Sequence, residues 1–165
     1  MLRQTVITVV TTAFVDSSHG SNKVTRRSHS GHILFVNREP IKWLIWRQQI
    51  VETSVSSSEF IAMKHFIEDV KYLRFKLRMF RVPFAEERLS TYVWCDNENV
   101  VKNSSYLDSK LNKNHSAIAF NFTRWNMAAA VFTVAWIPTG ENIADAMTKR
   151  LSEITRDYFF GNWTY

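Results

Sequence analysis

The sequence predicts an α/β domain: a five-stranded mixed sheet, an antiparallel meander extended by parallel strands, with helices packed on it. Three observations carry this expectation. Three β-prone runs follow one another before residue 50, separated only by short polar turns. From "SVSSSEF" onward the apolar residues recur every three or four positions instead of alternating. Two further apolar runs, "STYVWCD" and "AVFTVAWIP", then alternate with helical stretches, an order that lays helices against a sheet. A chain of 165 residues, 45% hydrophobic and 22% charged, suits one packed domain spanning 1–165 and not a disordered polypeptide.

In chain order, Thr5 to Val15 is rich in β-branched residues, whose stiff side chains favour extended backbone, and predicts strand one with Asp16 at its end. "SSHGSNK" is a turn-forming stretch. "GHILFVN" and "IKWLIW" predict strands two and three around the turn "REP". Within "WLIW", Trp43 and Ile45 alternate with Leu44 and Trp46 across a sheet; Leu44 and Trp46, if they point outward, could meet a neighbouring domain. Ser56 and Glu59 have the spacing of a capping box. Behind them Phe60, Met63, Ile67, Val70, Leu73, Leu77 and Phe80 form an amphipathic stripe that Pro83 stops. "STYVWCD" predicts strand four, and Asn97 to Tyr106 a short helix. The polar, basic "YLDSKLNKNH" leads to a helix from His115 to Ala130 with Ile118, Phe122, Trp125 and Ala129 on one side. "AVFTVAWIP" predicts strand five, Pro138 to Asn142 a loop and "IADAMTKRL" the last helix.

The formal net charge of +6 favours a polyanionic partner, nucleic acid foremost, with anionic membrane surfaces as another possibility. No apolar run approaches the roughly 20 residues of a membrane-spanning helix. The opening "MLRQTVITVVTTAFVD" reads as a strand, not a signal peptide. Cys95 is the single cysteine, so neither an intrachain disulfide nor a cysteine-based zinc site can form, and a reducing compartment fits.

Four acids stand at predicted element ends. Asp16 and Asp96 close strands, Glu59 opens the long helix and Asp145 lies in the first turn of the last one. Each alone has an ordinary explanation as a turn residue, a capping-box acid, a helix cap or a helix-dipole partner. If strands one and four are neighbours, however, the four converge at the strand ends, where α/β sheets gather their sites. Clustered carboxylates repel one another unless a cation neutralises them. With oxygen ligands only, magnesium or manganese is the natural ion.

The order of the segments "AFVDSSHGS", "TRRSHSGHILFVN", "IKWLIWRQQ", "SSSEFIAM", "YVWCDNENVVK", "LNKNHSAIA" and "IPTGENIADAMTKRL" resembles ribonuclease H, and within it the ribonuclease H domain of copia-type LTR retrotransposon polyproteins. The resemblance runs from about residue 12 to residue 151, with "TRRSHSG", "CDN" and "ADAMTK" its more specific parts. It implies a ribonuclease H-like fold, with Asp16, Glu59, Asp96 and Asp145 as the catalytic and metal-binding acids. It also implies two Mg²⁺ ions, which Mn²⁺ could replace. The implied reaction is cleavage of the RNA strand of an RNA–DNA hybrid, leaving 5′-phosphate and 3′-hydroxyl ends. The implied setting is intracellular, in a cytoplasmic retrotransposon particle. There the chain, a monomer by itself, would follow a reverse transcriptase domain in a longer polyprotein, with "LSEITRDYFFGNWTY" as its tail.

The chain departs from the cellular members of that family in three respects. The loop "WIPTGENIAD" carries no histidine, leaving His19 and His115 as the nearest candidates for its role. Glu98 stands where a glutamine is usual, and no basic-protrusion helix precedes strand four. Hybrid binding is then expected from Arg26, Arg27, Asn97, Glu98, Lys113 and Lys149, with Lys102, Lys110 and Arg47 as further phosphate contacts. Asn97 and Glu98 are placed to sense the RNA 2′-hydroxyl. Two other readings stay open: a non-catalytic binding or tether module of a reverse transcriptase, and a DNA strand transferase, whose last acid is typically Glu where this chain has Asp145.

Overall fold

The computed structural model describes residues 9–82, 90–106, 116–150 and 152–161. Its elements are β1 Thr11–Ser18, β2 His29–Val36, β3 Glu39–Arg47, α1 Val55–Met79, β4 Thr91–Cys95, α2 Glu98–Ser105, α3 Ala117–Ala128, β5 Phe132–Trp136, α4 Asp145–Thr148 and α5 Glu153–Phe160. The sheet order is β3-β2-β1-β4-β5. The first three strands form an antiparallel meander, and β4 runs parallel to both β1 and β5. This is the mixed five-stranded architecture that the sequence predicts.

One face of the sheet carries the core. Phe60, Met63, Phe66, Ile67 and Val70 of α1 pack on Ala13, Val15, Leu34, Val93 and Val134, and Val100 of α2 and Phe120 of α3 close the same cluster. Farther along α1, His32 of β2, fully buried, faces Asp69 at 2.9 Å, and Lys42 of β3 donates to the other oxygen of Asp69 at 2.6 Å. Burial pushes the His32 imidazole down to about 4 against the pull of Asp69. The ring is therefore neutral at physiological pH and ties β2, β3 and α1 together as a hydrogen-bonding group.

Several boundaries differ from the sequence expectation. The first strand begins at Thr11 and runs past Asp16 to Ser18; Thr5 to Thr8 lie outside the described residues. The β2–β3 turn is at Asn37, whose φ of 57° an asparagine tolerates, not at "REP". Pro40 instead lies inside β3, next to a register shift, on an edge strand where its missing N–H is harmless. The cap of α1 is Ser54, accepting from the Ser57 amide, not the Ser56–Glu59 pair, because the Glu59 side chain is turned inward. In α3 the buried face is Ala119, Phe120, Thr123 and Asn126, whereas Ile118 is 77% and Trp125 63% exposed. Of the predicted apolar side, Ile118, Trp125 and Ala129 thus face outward while Phe122 is half-buried against the core, and Lys71 lies over the Phe122 and Trp125 rings. "IADAMTKRL" yields only the four-residue α4, and the "SEITRDYFF" stretch beyond it forms α5. In "WLIW", Trp46 packs on His32 and His65 on the α1 side, so Trp43 and Ile45 are the pair on the other face of the sheet, both more than half exposed.

Helix α4 sits on the face opposite α1. Its seat is Gly31 of β2, the register partner of Asp16. A Cβ at Gly31 would lie 2.7 Å from Met147 Cβ and 3.1 Å from Thr148 Cγ2. Gly31→Ala is therefore expected to lift α4 from the sheet and to destabilise the fold by about 1–3 kcal/mol. Urea denaturation of the variant beside the parent chain measures this; an unchanged midpoint would show that α4 does not press on Gly31.

Candidate active site

Parallel pairing of β1 with β4 aligns Phe14 with Trp94, so Asp16 and Asp96, two residues farther along each chain, emerge side by side at the carboxyl end of the sheet. Glu59 reaches the same point from the first turns of α1. One carboxylate oxygen from each of the three lies within 4.8 Å of the others. Asp16 is only 1% exposed and Glu59 3%. They lie at an open hollow whose rim includes Asn97, Glu98 and Lys149.

A network of small polar residues fixes these acids. The Ser17 amide donates to Glu59 Oε1 at 3.2 Å, and Ser17 Oγ donates to Ser58 Oγ at 2.9 Å. The buried Gln48 donates through Nε2 to Ser30 Oγ at 2.7 Å and to the Ser58 carbonyl at 2.8 Å, joining the end of β3 to β2 and α1. Sequence reasoning passed over Ser17, Ser30, Gln48 and Ser58. The signal was present in "SVSSSEF", where serines occupy core-facing positions immediately before Glu59.

Asp145 approaches from the other face. Asn142, fully buried, donates from Nδ2 to the Val15 carbonyl at 3.1 Å and accepts the Ala144 amide at 3.2 Å, which clamps the loop before α4 against β1. Thr148 Oγ1 donates to Asp16 Oδ2. Lys149 Nζ donates to Asp145 Oδ1 and lies 4.0 Å from Asp16 Oδ1. Of the four expected acids, three converge, and Asp145 is linked to them through Lys149.

The other expected residues are distributed as follows. Asn97 caps α2, accepting the Asn99 and Val100 amides at 3.1 and 3.3 Å, and with Glu98 borders the hollow. Lys102 pairs with Glu98 at 2.7 Å on the open surface. Arg26 is exposed in a left-handed turn and Arg27 is half-buried; neither borders the hollow, and Arg47 is exposed at the end of β3. His19 is exposed beyond β1. Lys110, Lys113 and His115 lie outside the described residues. An additional residue at the site is Trp136, half exposed, whose indole N–H donates to the Asp96 carbonyl at 3.1 Å.

The electrostatics follow from burial. The Asp16 carboxyl is raised from 3.8 to about 6, first by loss of water, with Thr148 and Lys149 opposing and Asp145 and Asp96 adding to the rise. Glu59 is pushed well above the usual carboxylate range by burial and then by Asp16 and Asp96. The buried Cys95 thiol behind them is pushed up chiefly by burial, so it offers no thiolate. Among the described residues, buried Glu59 Oε2 has no hydrogen-bond partner. An all-carboxylate donor set with one oxygen left over fits a hard divalent cation bound by Asp16, Glu59 and Asp96.

No protein-family model matches the chain. The retrovirus-related Pol polyprotein from transposon RE1 of Arabidopsis thaliana is 22% identical over 145 residues, which are 85% of this chain and 9% of that protein. The chain thus spans about a tenth of the length of the curated relatives it matches. Among solved structures, LC11-RNase H1, isolated from compost by a metagenomic approach, superposes with a TM-score of 0.64 at 17% identity, over 84% of this chain and 91% of that one. The foamy viral protease-reverse transcriptase in complex with RNA/DNA hybrid superposes with a TM-score of 0.52 at 11% identity, over 87% of this chain and 20% of that one. The fold expected from the resemblance is the fold found.

The raised Asp16 carboxyl has a signed consequence for stability. Between about pH 4 and 6 the folded chain holds a proton there that the unfolded chain releases, so this group's contribution falls as pH rises, reaching a penalty of about 3 kcal/mol near neutrality. His32 acts in the opposite sense over an overlapping range, because the folded chain refuses a proton that the unfolded chain takes up. The Asp16 effect is therefore read as a difference. In chelator, the melting temperature of Asp16→Asn relative to the parent is expected to climb from pH 4 to pH 7; a flat difference would show an ordinary carboxyl.

Proposed function

Taking the chain as a ribonuclease H domain of the retrotransposon-polyprotein kind, we propose that it is an endoribonuclease cutting the RNA strand of RNA–DNA hybrids. On this reading it serves reverse transcription in a copia-type element and leaves 5′-phosphate and 3′-hydroxyl ends. The observation that carries the proposal is the convergence of Asp16, Glu59 and Asp96, two of them nearly out of water, with an unpaired Glu59 oxygen at an open hollow. A site that served only to tether a neighbour gains nothing from burying mutually repelling acids. The hybrid seen with the foamy viral neighbour supports the substrate class, and the Pol polyprotein relative supports a reverse transcriptase domain in the same polypeptide.

Asp16, Glu59 and Asp96 would hold divalent cations, with Asp145 completing the set from α4. Such a site, holding two Mg²⁺ ions or Mn²⁺ in their place, would supply Lewis-acid activation of a water and charge neutralisation at the leaving oxygen. The chain itself supplies the positioning. Ser17 and the Gln48–Ser58 link hold Glu59 in its orientation, Asn142 sets the height of α4, and Trp136 braces the backbone at Asp96. Asn97 and Glu98 border the hollow where an RNA 2′-hydroxyl can be met, and that contact separates RNA from DNA. Arg26, Arg27, Lys113 and Lys149 act on phosphates, so hybrid affinity falls steeply with salt.

The test is a labelled hybrid incubated with the chain in Mg²⁺ and in Mn²⁺, beside Asp96→Asn. Loss of one metal-holding carboxylate removes several kcal/mol of transition-state stabilisation, a drop of roughly a hundredfold or more in RNA-strand cleavage. Hybrid bound but left intact in both metals would instead favour the tether reading, and cleavage of DNA ends the strand-transferase one.

A further inference from the structure

Lys149 was expected to contact substrate phosphate, but its ammonium lies among the acids. It donates to Asp145 Oδ1 and stands 4.0 Å from Asp16 Oδ1, while its own backbone N–H bonds the Asp145 carbonyl at 3.0 Å. The pair differs in kind from the surface pair of Lys102 with Glu98, where both side chains are more than half exposed and water screens the attraction. The Lys149 side chain is 42% exposed, yet the carboxylates it faces are only 2% exposed for Asp16 and 14% for Asp145. The lysine therefore reaches inward from the rim, and Thr148 beside it covers the remaining Asp16 oxygen.

We propose that Lys149 is a built-in counter-cation that occupies the Asp16–Asp145 side of the site and competes there with divalent metal. This rests on the reading of the acidic hollow as a divalent-cation site. Asp16 and Asp145 repel each other at short range, and a unit positive charge between them offsets that repulsion without any bound ion. A divalent cation claiming the same two carboxylates displaces the ammonium. Among the described residues Lys149 forms no ion pair with Glu59 or Asp96, so these two carboxylates, with the unpaired Glu59 oxygen, are the part of the cluster open to metal first, and Asp16 joins as the ammonium leaves. Once displaced, the ammonium is left at the rim of the hollow, where a substrate phosphate can take it up. The same residue thus passes from guarding the acids to binding the substrate.

The experiment is Mg²⁺ titration by calorimetry of the parent chain, Lys149→Met and Lys149→Arg, with melting curves of each in chelator and in saturating Mg²⁺. Lys149→Met is expected to bind Mg²⁺ roughly tenfold more tightly than the parent, because one competing charge is gone. It should melt below the parent in chelator and regain parity in Mg²⁺, while Lys149→Arg, which keeps the charge, should follow the parent. If Lys149→Met does not fold, Lys149→Gln serves in its place. Binding by the parent with unchanged affinity in the neutral variants would overturn the counter-cation and leave the metal site standing. No Mg²⁺ binding by the parent would overturn both.

Discussion

The carboxyl end of the sheet is organised around one electrostatic constraint: Asp16 and Glu59 are nearly removed from water and lie close enough to repel each other. In a medium of low effective dielectric such a pair cannot both be ionised without compensation. The surroundings supply that compensation in small pieces: the Ser17 amide on Glu59, the Thr148 hydroxyl on Asp16 and the Lys149 ammonium between Asp16 and Asp145. Behind them Gln48, Ser30 and Ser58 pair among themselves where an ordinary core would place apolar side chains. That exchange of hydrophobic burial for fixed hydrogen bonds holds the backbone at Glu59 rigidly.

The acids come from opposite faces of one sheet, and each face has its own anchor. On the α1 face the core stripe and the His32–Asp69–Lys42 cluster set the helix against β2 and β3, which places Glu59 three turns earlier over the end of β1. On the other face the seat is Gly31, where Met147 comes so close that no side chain fits, and the Asn142 clamp sets the height. Because Gly31 and Asp16 are register partners, close seating of α4 and access to Asp16 are one geometric fact.

Most of the fold was legible in the sequence because it is governed by local period. The alternation in the strands and the Phe60, Met63, Ile67 and Val70 stripe in α1 each follow from a single rule. The acidic residues were legible as a set through the expected pairing of β1 with β4 and through the resemblance, which assigns all four. What the sequence hid was of another kind. In α3 the apolar side was assigned from Ile118, Phe122, Trp125 and Ala129, but the buried face is Ala119, Phe120, Thr123 and Asn126, where Thr123 Oγ1 and Asn126 Nδ2 donate to carbonyls of their own helix and so can enter the core. The serines before Glu59 looked like a helix start, and the glutamate like its cap, since a capping box and an inward-turned buried acid share the same spacing. The contact of Lys149 with Asp16 spans 133 positions, which no local rule reports.

That separation has a consequence for how the chain comes to be made. The bonds that finish the centre, Thr148 to Asp16 and Asn142 to Val15, join residues 132 and 127 positions apart. Contacts of such range form late, after the loops between them have been closed by stronger packing elsewhere. The acids speed nothing, since they repel until the donors of α4 arrive. A chain still emerging from the ribosome therefore holds its meander and long helix well before it holds a finished acidic centre, which waits until Thr148 and Lys149 have been released to fold back on the first strand.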